Sequence, residues 1–277
     1  MQIKFWKMHG AANDFVLVDD REGNFPVDNR DYIERIAQRR TGIGCEGVIL
    51  IQPSDTEDFR MRFFNPDGGE VDMCGNGARC VARLAADIGA APRKMTIATQ
   101  AGRLRAEITQ PGQVKLWLTE PADWRMQQKL TVAGRELVCH SVNTGVAHVV
   151  VPVPDLDAVD VAGAGSAIRY HEAFAPEGTN ANFFQVTGPS SVAVRTYERG
   201  VEAETLACGT GIVATGLVAG RLGDVKPPVA VASAGGHQLI VDYRMSGNGN
   251  DVDAVTLEGP AEYVFTGEIA AGDGCQP

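Results

Sequence analysis

The chain has 277 residues, 44% hydrophobic and 22% charged, enough for one large core or two modest ones. Its formal net charge of −10 argues against a nucleic-acid partner, which needs clustered Lys and Arg to displace counterions. No signal-length apolar run occupies the first ten residues, and HVVVPV and GIVATGLVAG fall short of the ~20 residues of a membrane helix, so a cytoplasmic protein with no membrane partner is expected.

Lys4–Phe5 and Phe15–Val18 read as strands. Asp28 or Asn29 then caps a helix carrying Tyr32, Ile33, Ile36 and Ala37, with a stop near Gly42. The apolar run Val48–Ile51 predicts a buried strand, and Arg60–Asn65 another. After Cys74, the residues Val81, Leu84, Ala85 and Ile88 follow helical spacing. Thr96–Ala98, Arg103–Ile108 and Val114–Leu118 are strands between Gly and Pro turns. The plan then recurs: strands at Val149–Val153, Phe183–Val186 and Val192–Tyr197, a helix after Cys208, and strands at Val229–Ala232, Gln238–Tyr243 and Val255–Leu257.

That recurrence has a register. Cys74 and Cys208 are 134 residues apart, and the same offset pairs Gly75 with Gly209, Gly77 with Gly211, Gly89 with Gly223 and Gly102 with Gly236. Near the start of each half the offset becomes 135, where Gly10-Ala11-Ala12-Asn13 faces Gly145-Val146-Ala147-His148. A register held over most of the chain implies duplication and two domains of one fold. Residues 1–120, joined by a C-terminal strand within 262–277, form the expected first half, and 121–261 the second.

Gly42-Ile43-Gly44-Cys45-Glu46-Gly47 fits G-x-G-x-x-G, but it follows a helix and opens a strand, the reverse of a dinucleotide site. The six cysteines include no C-x-x-C, so neither a disulfide framework nor a metal site is expected.

The two stretches DMCGNGARC and TLACGTGIVATG each place a thiol where a helix begins. The positive end of the helix dipole favours thiolate there. The glycines let a ligand approach the backbone, and the N–H groups of Gly75 and Asn76, or of Gly209 and Thr210, can hold a carboxylate. One such cysteine alone is more often a buried thiol at a turn. Two, one per duplicated domain, suit a specific reaction: one sulfur removes a proton from a carbon while the other delivers a proton to the opposite face, inverting the centre. A redox role for the thiols explains the cysteines but not their flanking cradles.

HGAANDFVLVD, FFNPDGGEVDMCGNGARC, EGTNANF and YERGVEAETLACGTG together resemble diaminopimelate epimerases over nearly the whole chain. The resemblance implies two pseudo-symmetric α/β (α+β) domains, each a mostly antiparallel or mixed sheet wrapped around a central helix, with the active site in the interdomain cleft. It implies cofactor-independent interconversion of LL- and meso-2,6-diaminopimelate in lysine and peptidoglycan precursor synthesis. Cys74 and Cys208 then match the acid/base pair, and Gly75, Asn76, Gly209 and Thr210 the cradle for the reacting carboxylate. Asn13, Asn65, Asn180, Glu198 and Arg199 match residues that hold the substrate, including its distal amino-acid end; His148 and Glu198 take supporting roles. Adjacent on a strand, Glu198 and Arg199 are expected to diverge. Val146 stands where the pattern often carries Asn, and Gly47 where some members carry Gln. No cofactor is implied, and a homodimer is left open. The alternative activity is racemisation of another amino acid, such as histidine or proline.

Overall fold

The computed structural model describes residues 1–132, 134–245 and 252–271. The chain divides into two compact units, Met1–Leu116 with Gly259–Pro277, and Trp117–Glu258.

In the first unit, β1 (Gln2–Gly10) and β2 (Asn13–Asp19) are followed by α1 (Arg30–Ala37), β3 (Val48–Gln52), β4 (Phe59–Phe64), β5 (Glu70–Val71), α2 (Gly75–Asp87), β6 (Lys94–Thr99), β7 (Gly102–Gln110) and β8 (Gln113–Trp117). The second continues with β9 (Ala122–Val132), β10 (Arg135–Asn143), β11 (Ala147–Pro152), α3 (Val161–Arg169), β12 (Asn180–Gly188), β13 (Ser191–Glu198), β14 (Ala203–Thr205), α4 (Gly209–Leu222), β15 (Val229–Ser233), β16 (Gln238–Met245) and β17 (Val252–Pro260), before β18 (Glu262–Ala270).

The pairing is the same in both units. β1–β2, β3–β4, β4–β5 and β6–β7 are antiparallel, while β2–β3 and β4–β6 are parallel. Correspondingly, β10–β11, β12–β13, β13–β14 and β15–β16 are antiparallel, and β11–β12 and β13–β15 parallel. Each sheet gains an outer strand from later in the chain or from just before it: β18 lies antiparallel on β1, and β9 antiparallel on β10. The sheets are mixed, and the fold is α+β.

Each unit has one outer helix and one central helix. α1 buries a single face, Tyr32, Ile33, Ile36 and Ala37, as its 3.6-residue spacing dictates. These side chains cluster with Val16, Val18, Val48 and Leu50, one face of β2 and β3. α2 is buried without interruption from Asn76 to Ala82, two turns in which every face meets protein. It packs against β1, β2, β3 and β7. Gly77 stands against the other face of the same strands, Phe15 and Ile49. A sheet covered on both faces needs continuous apolar runs, hence VILI in β3. In the second unit α4 is buried from Gly211 to Ala219 and packs against β10, β11, β12, β13, β15 and β16.

Asn29 caps α1, its Oδ1 accepting from the Tyr32 N–H at 3.0 Å. The helix stops at Ala37, before Gly42. Ile43 and Gly44 return their N–H groups to the Ile36 carbonyl at 3.0 Å each, so the chain turns back onto the helix end. A Cβ on Gly42 would lie 1.9 Å from the Arg35 carbonyl oxygen, so this glycine permits the return rather than ending the helix itself. The strand expected at the C-terminus is β18, Glu262–Ala270; residues 272–277 lie outside the described residues. No helix among the described residues is long and apolar enough to cross a membrane.

Candidate active site

Cys74 is the residue before α2, with an extended backbone (φ −132°, ψ 123°), and its side chain does not cap the helix. The first-turn N–H groups, those of Gly75 and Asn76 among them, have no acceptor within the helix. A Cβ on Gly75 would meet nothing within 4 Å, so the approach to these groups is open. The Asn76 side chain turns inward: its Oδ1 accepts from Arg79 Nη2 at 2.7 Å. Gly10 presses on the same turn, where a Cβ would sit 2.7 Å from the Asn76 carbonyl oxygen.

Beside the thiol stands Asn13, whose Oδ1 is 3.8 Å from Cys74 Sγ. The Asn13 amide N–H donates to the Glu46 carboxylate. Arg39 lies 3.5 Å from Glu46 and 2.6 Å from Asp14, and Asp14 in turn pairs with buried Lys7. Burial alone would raise the Asp14 carboxyl, but hydrogen bonds from Arg39 and Lys7 hold it below its ordinary value. A charged lattice thus fixes the amide that faces Cys74. Asn65 follows β4 in a turn, its N–H on the Gly69 carbonyl at 2.8 Å and its carbonyl accepting from Gly68 at 2.9 Å. At Gly47 a Cβ would fall 2.2 Å from the Phe63 ring, so the glycine makes room for that ring.

In the second unit Cys208 precedes α4 with φ −103° and ψ 107°, is buried, and again does not cap its helix. Its Sγ is 3.6 Å from Thr210 Oγ1. Thr144 Oγ1 donates to the Thr210 carbonyl at 3.0 Å, anchoring the first turn. Gly209 and Thr210 supply the N–H groups equivalent to those of Gly75 and Asn76.

Asn180 is buried on β12, and its amide engages backbone: Nδ2 donates to the Ala147 carbonyl and Oδ1 accepts from the Arg199 N–H, both at 2.9 Å. Glu198 ends β13 and accepts from Thr205 Oγ1 at 2.8 Å. Arg199 Nη1 points to the carbonyls of Glu177 and Gly178, at 3.2 and 3.4 Å. The adjacent pair thus diverges to different partners.

His148 is fully buried, and burial, then the charge of Arg199, pushes its pKa down to about 3. Asn182, buried two residues after Asn180, meets His148 Nδ1 at 3.1 Å. Sequence reasoning passed over Asn182, although residues two apart on a strand share a face. It also passed over Glu46 and the fully buried Arg79. Burial pushes the other thiols up, Cys80 to about 12 and Cys139 to about 11, with Cys45 also raised; this suits structural residues. Cys275 lies outside the described residues, and none of the other cysteines is in a disulfide. Among the described residues no group of His, Cys, Asp and Glu could hold a metal ion.

Two solved structures define the class of fold. A phenazine biosynthesis protein of the PhzF family from Bacillus anthracis superposes with a TM-score of 0.75 at 18% identity, covering 98% of this chain and 99% of that one. A hydroxyproline epimerase from Agrobacterium vitis superposes with a TM-score of 0.67 at 16% identity, covering 99% and 94%. Sequence narrows the class. The family model described as Diaminopimelate epimerase matches residues 5–124 and 140–264, and the diaminopimelate epimerase of Aquifex aeolicus (strain VF5) is 42% identical over 97% of this chain and 98% of that protein. The chain belongs to the diaminopimelate epimerase family and is an enzyme of the isomerase class.

Proposed function

We propose that this enzyme interconverts LL- and meso-2,6-diaminopimelate without a cofactor, Cys74 and Cys208 acting as its acid/base pair on opposite faces of one α-carbon. The reaction would serve lysine and peptidoglycan precursor synthesis. The observation that carries this reading is that each cysteine immediately precedes the central helix of its unit without capping it.

The α-carbon of an amino acid is a far weaker acid than a thiol, so deprotonation needs help. One sulfur starts as thiolate and takes the α-proton, becoming S–H. The electron pair left on carbon is delocalised into the carboxylate, where helix N–H groups stabilise the added charge. The other sulfur, starting as S–H, gives its proton to the opposite face and becomes thiolate. No electron is lost or gained; the sulfurs exchange protonation states, and the reverse reaction uses them in swapped roles. Asn13, Asn65, Asn180, Glu198 and Arg199 are proposed to hold the remainder of the substrate. A carboxylate suits Arg and an ammonium suits Glu. The two units are proposed as duplicated domains, each contributing one sulfur.

The test is incubation of the reduced enzyme with LL-diaminopimelate in D2O, following the α-proton signal and the meso isomer. Proline, hydroxyproline and histidine serve as comparators. Formation of the meso isomer supports the reading. Absence of exchange on diaminopimelate, with exchange on a comparator, assigns the same chemistry to another amino acid.

A further inference from the structure

Beside Cys208 the wall against Gly211 is a buried polar cluster, whereas the wall against Gly77 is apolar. The position of a Cβ on Gly211 is 2.3 Å from Asn182 Oδ1 and 3.4 Å from Cys208 Sγ; the position on Gly77, its repeat partner, is 2.7 Å from Ile49 Cδ1. An amide therefore stands in one unit where a methyl group stands in the other. Burying an amide is costly unless its groups are all bonded.

The bonds also orient it. Asn182 Nδ2 lies 2.9 Å from the Val149 carbonyl, which can only accept, so this end must be the NH2 group. Oδ1 accepts from Thr196 Oγ1 at 2.9 Å. The same nitrogen, Nδ2, is 3.1 Å from His148 Nδ1. Its second N–H therefore meets Nδ1, which must be the bare ring nitrogen. With its pKa near 3, the ring is neutral at ordinary pH, and its one proton is on Nε2. Nε2 is itself buried, and nothing among the described residues accepts from it.

We infer that Asn182 is a positioning residue that locks His148 in the neutral Nε2–H tautomer, so that the ring meets negative charge only as a hydrogen-bond donor and not as a base. Its meaning for turnover rests on the function proposed above. The lock leaves proton transfer to the two sulfurs, while His148 supplies one fixed N–H to stabilise charge as it develops. Asn182 acts through His148 and need not touch substrate.

The experiment is ring-15N histidine labelling of the whole enzyme and long-range 1H–15N spectra from pH 8 to 5, with His148 assigned by the signals lost in His148→Gln. The expected result is a protonated Nε2 and a bare Nδ1 throughout. A proton on Nδ1, or an imidazolium at pH 7, overturns the inference whether or not the enzyme acts on diaminopimelate. Asn182→Leu gives this site an apolar occupant like Ile49. It should release the lock into a mixture of tautomers and lower kcat about tenfold, the scale of one hydrogen bond, with little change in KM. An unchanged tautomer and unchanged kcat in a cooperatively folding Asn182→Leu overturns the role given to Asn182. Should that variant not fold, the wild-type spectrum still decides.

Discussion

The two central helices begin alike and then differ. Both open on Cys-Gly-x-Gly with the cysteine extended and not capping. Beyond that turn, α2 carries fully buried Arg79, whose Nη2 holds Asn76 and whose Nε lies 3.2 Å from the Pro260 carbonyl. Val213 takes the equivalent position in α4. The neighbouring walls differ in the opposite sense, with Ile49 and Met61 against Gly77 but Asn182 against Gly211. What the two units share is what the proposed mechanism needs twice, a thiol beside the first N–H groups of a helix. The walls beside the two helices differ, apolar against Gly77 and polar against Gly211.

The largest expected effect tests what the copies share. On the proposed mechanism neither sulfur can replace the other, so Cys74→Ala and Cys208→Ala should each lower kcat by at least ~10³-fold. A variant retaining a tenth of the activity would show that the copies are not both needed. Next comes the contrast between glycines. Gly211→Ala drives a methyl into a hydrogen-bonded amide and toward Cys208 Sγ, and should cost ~1–3 kcal/mol in urea unfolding together with more than tenfold in kcat. Gly77→Ala meets the end of a flexible isoleucine and gains helix propensity, so its stability should stay within ~1 kcal/mol of wild type. Equal effects would erase the distinction between the walls.

His148 gives a smaller, pH-dependent difference. The unfolded chain takes up its proton near 6.5, the ordinary histidine value, whereas the folded chain resists until about 3. Its contribution is therefore complete above pH 6.5 and declines as pH falls through that window. His148→Gln should flatten the loss of stability between pH 6.5 and 4 by an amount on the order of 2 kcal/mol, read from unfolding midpoints. Asn13 stands at the repeat position in the first half and does not titrate. The smallest effect concerns a feature both copies retain. Arg62 grips Glu70 in a two-pronged pair at 2.8 and 2.7 Å, and Arg195 grips Glu204 at 2.7 and 2.8 Å. Glu70→Gln and Glu204→Gln should cost similar amounts, up to ~1 kcal/mol each.

Much of this comparison was legible in the chain itself, because Cys, Gly and short apolar runs carry strong local rules. The helix after Cys74 follows from its apolar spacing, the helix after Cys208 from the repeated plan, and the strand Val48–Ile51 from its unbroken apolar run. α3 escaped notice because VAGAGSAIR holds two glycines, poor helix formers. One of them has a packing reason: a Cβ on Gly165 would lie 2.4 Å from the Tyr197 Cβ. β9 escaped because ADWRMQQKLTV buries only Leu130 and Val132 and shows little apolar alternation. Among candidate site residues, the thiols and glycines announce themselves by motif. Asn182 does not, since its importance lies in His148 and Thr196, 34 and 14 residues away.

The central claim, that two sulfurs work from opposite faces, is tested most directly by isotope distribution at low conversion of LL-diaminopimelate in D2O. A thiol that has just taken the α-proton returns protium to the substrate face, while the opposing S–D delivers deuterium to the product face. The account predicts meso product deuterated at the inverted carbon and recovered LL substrate still protiated. Deuterium appearing equally in both pools would contradict it.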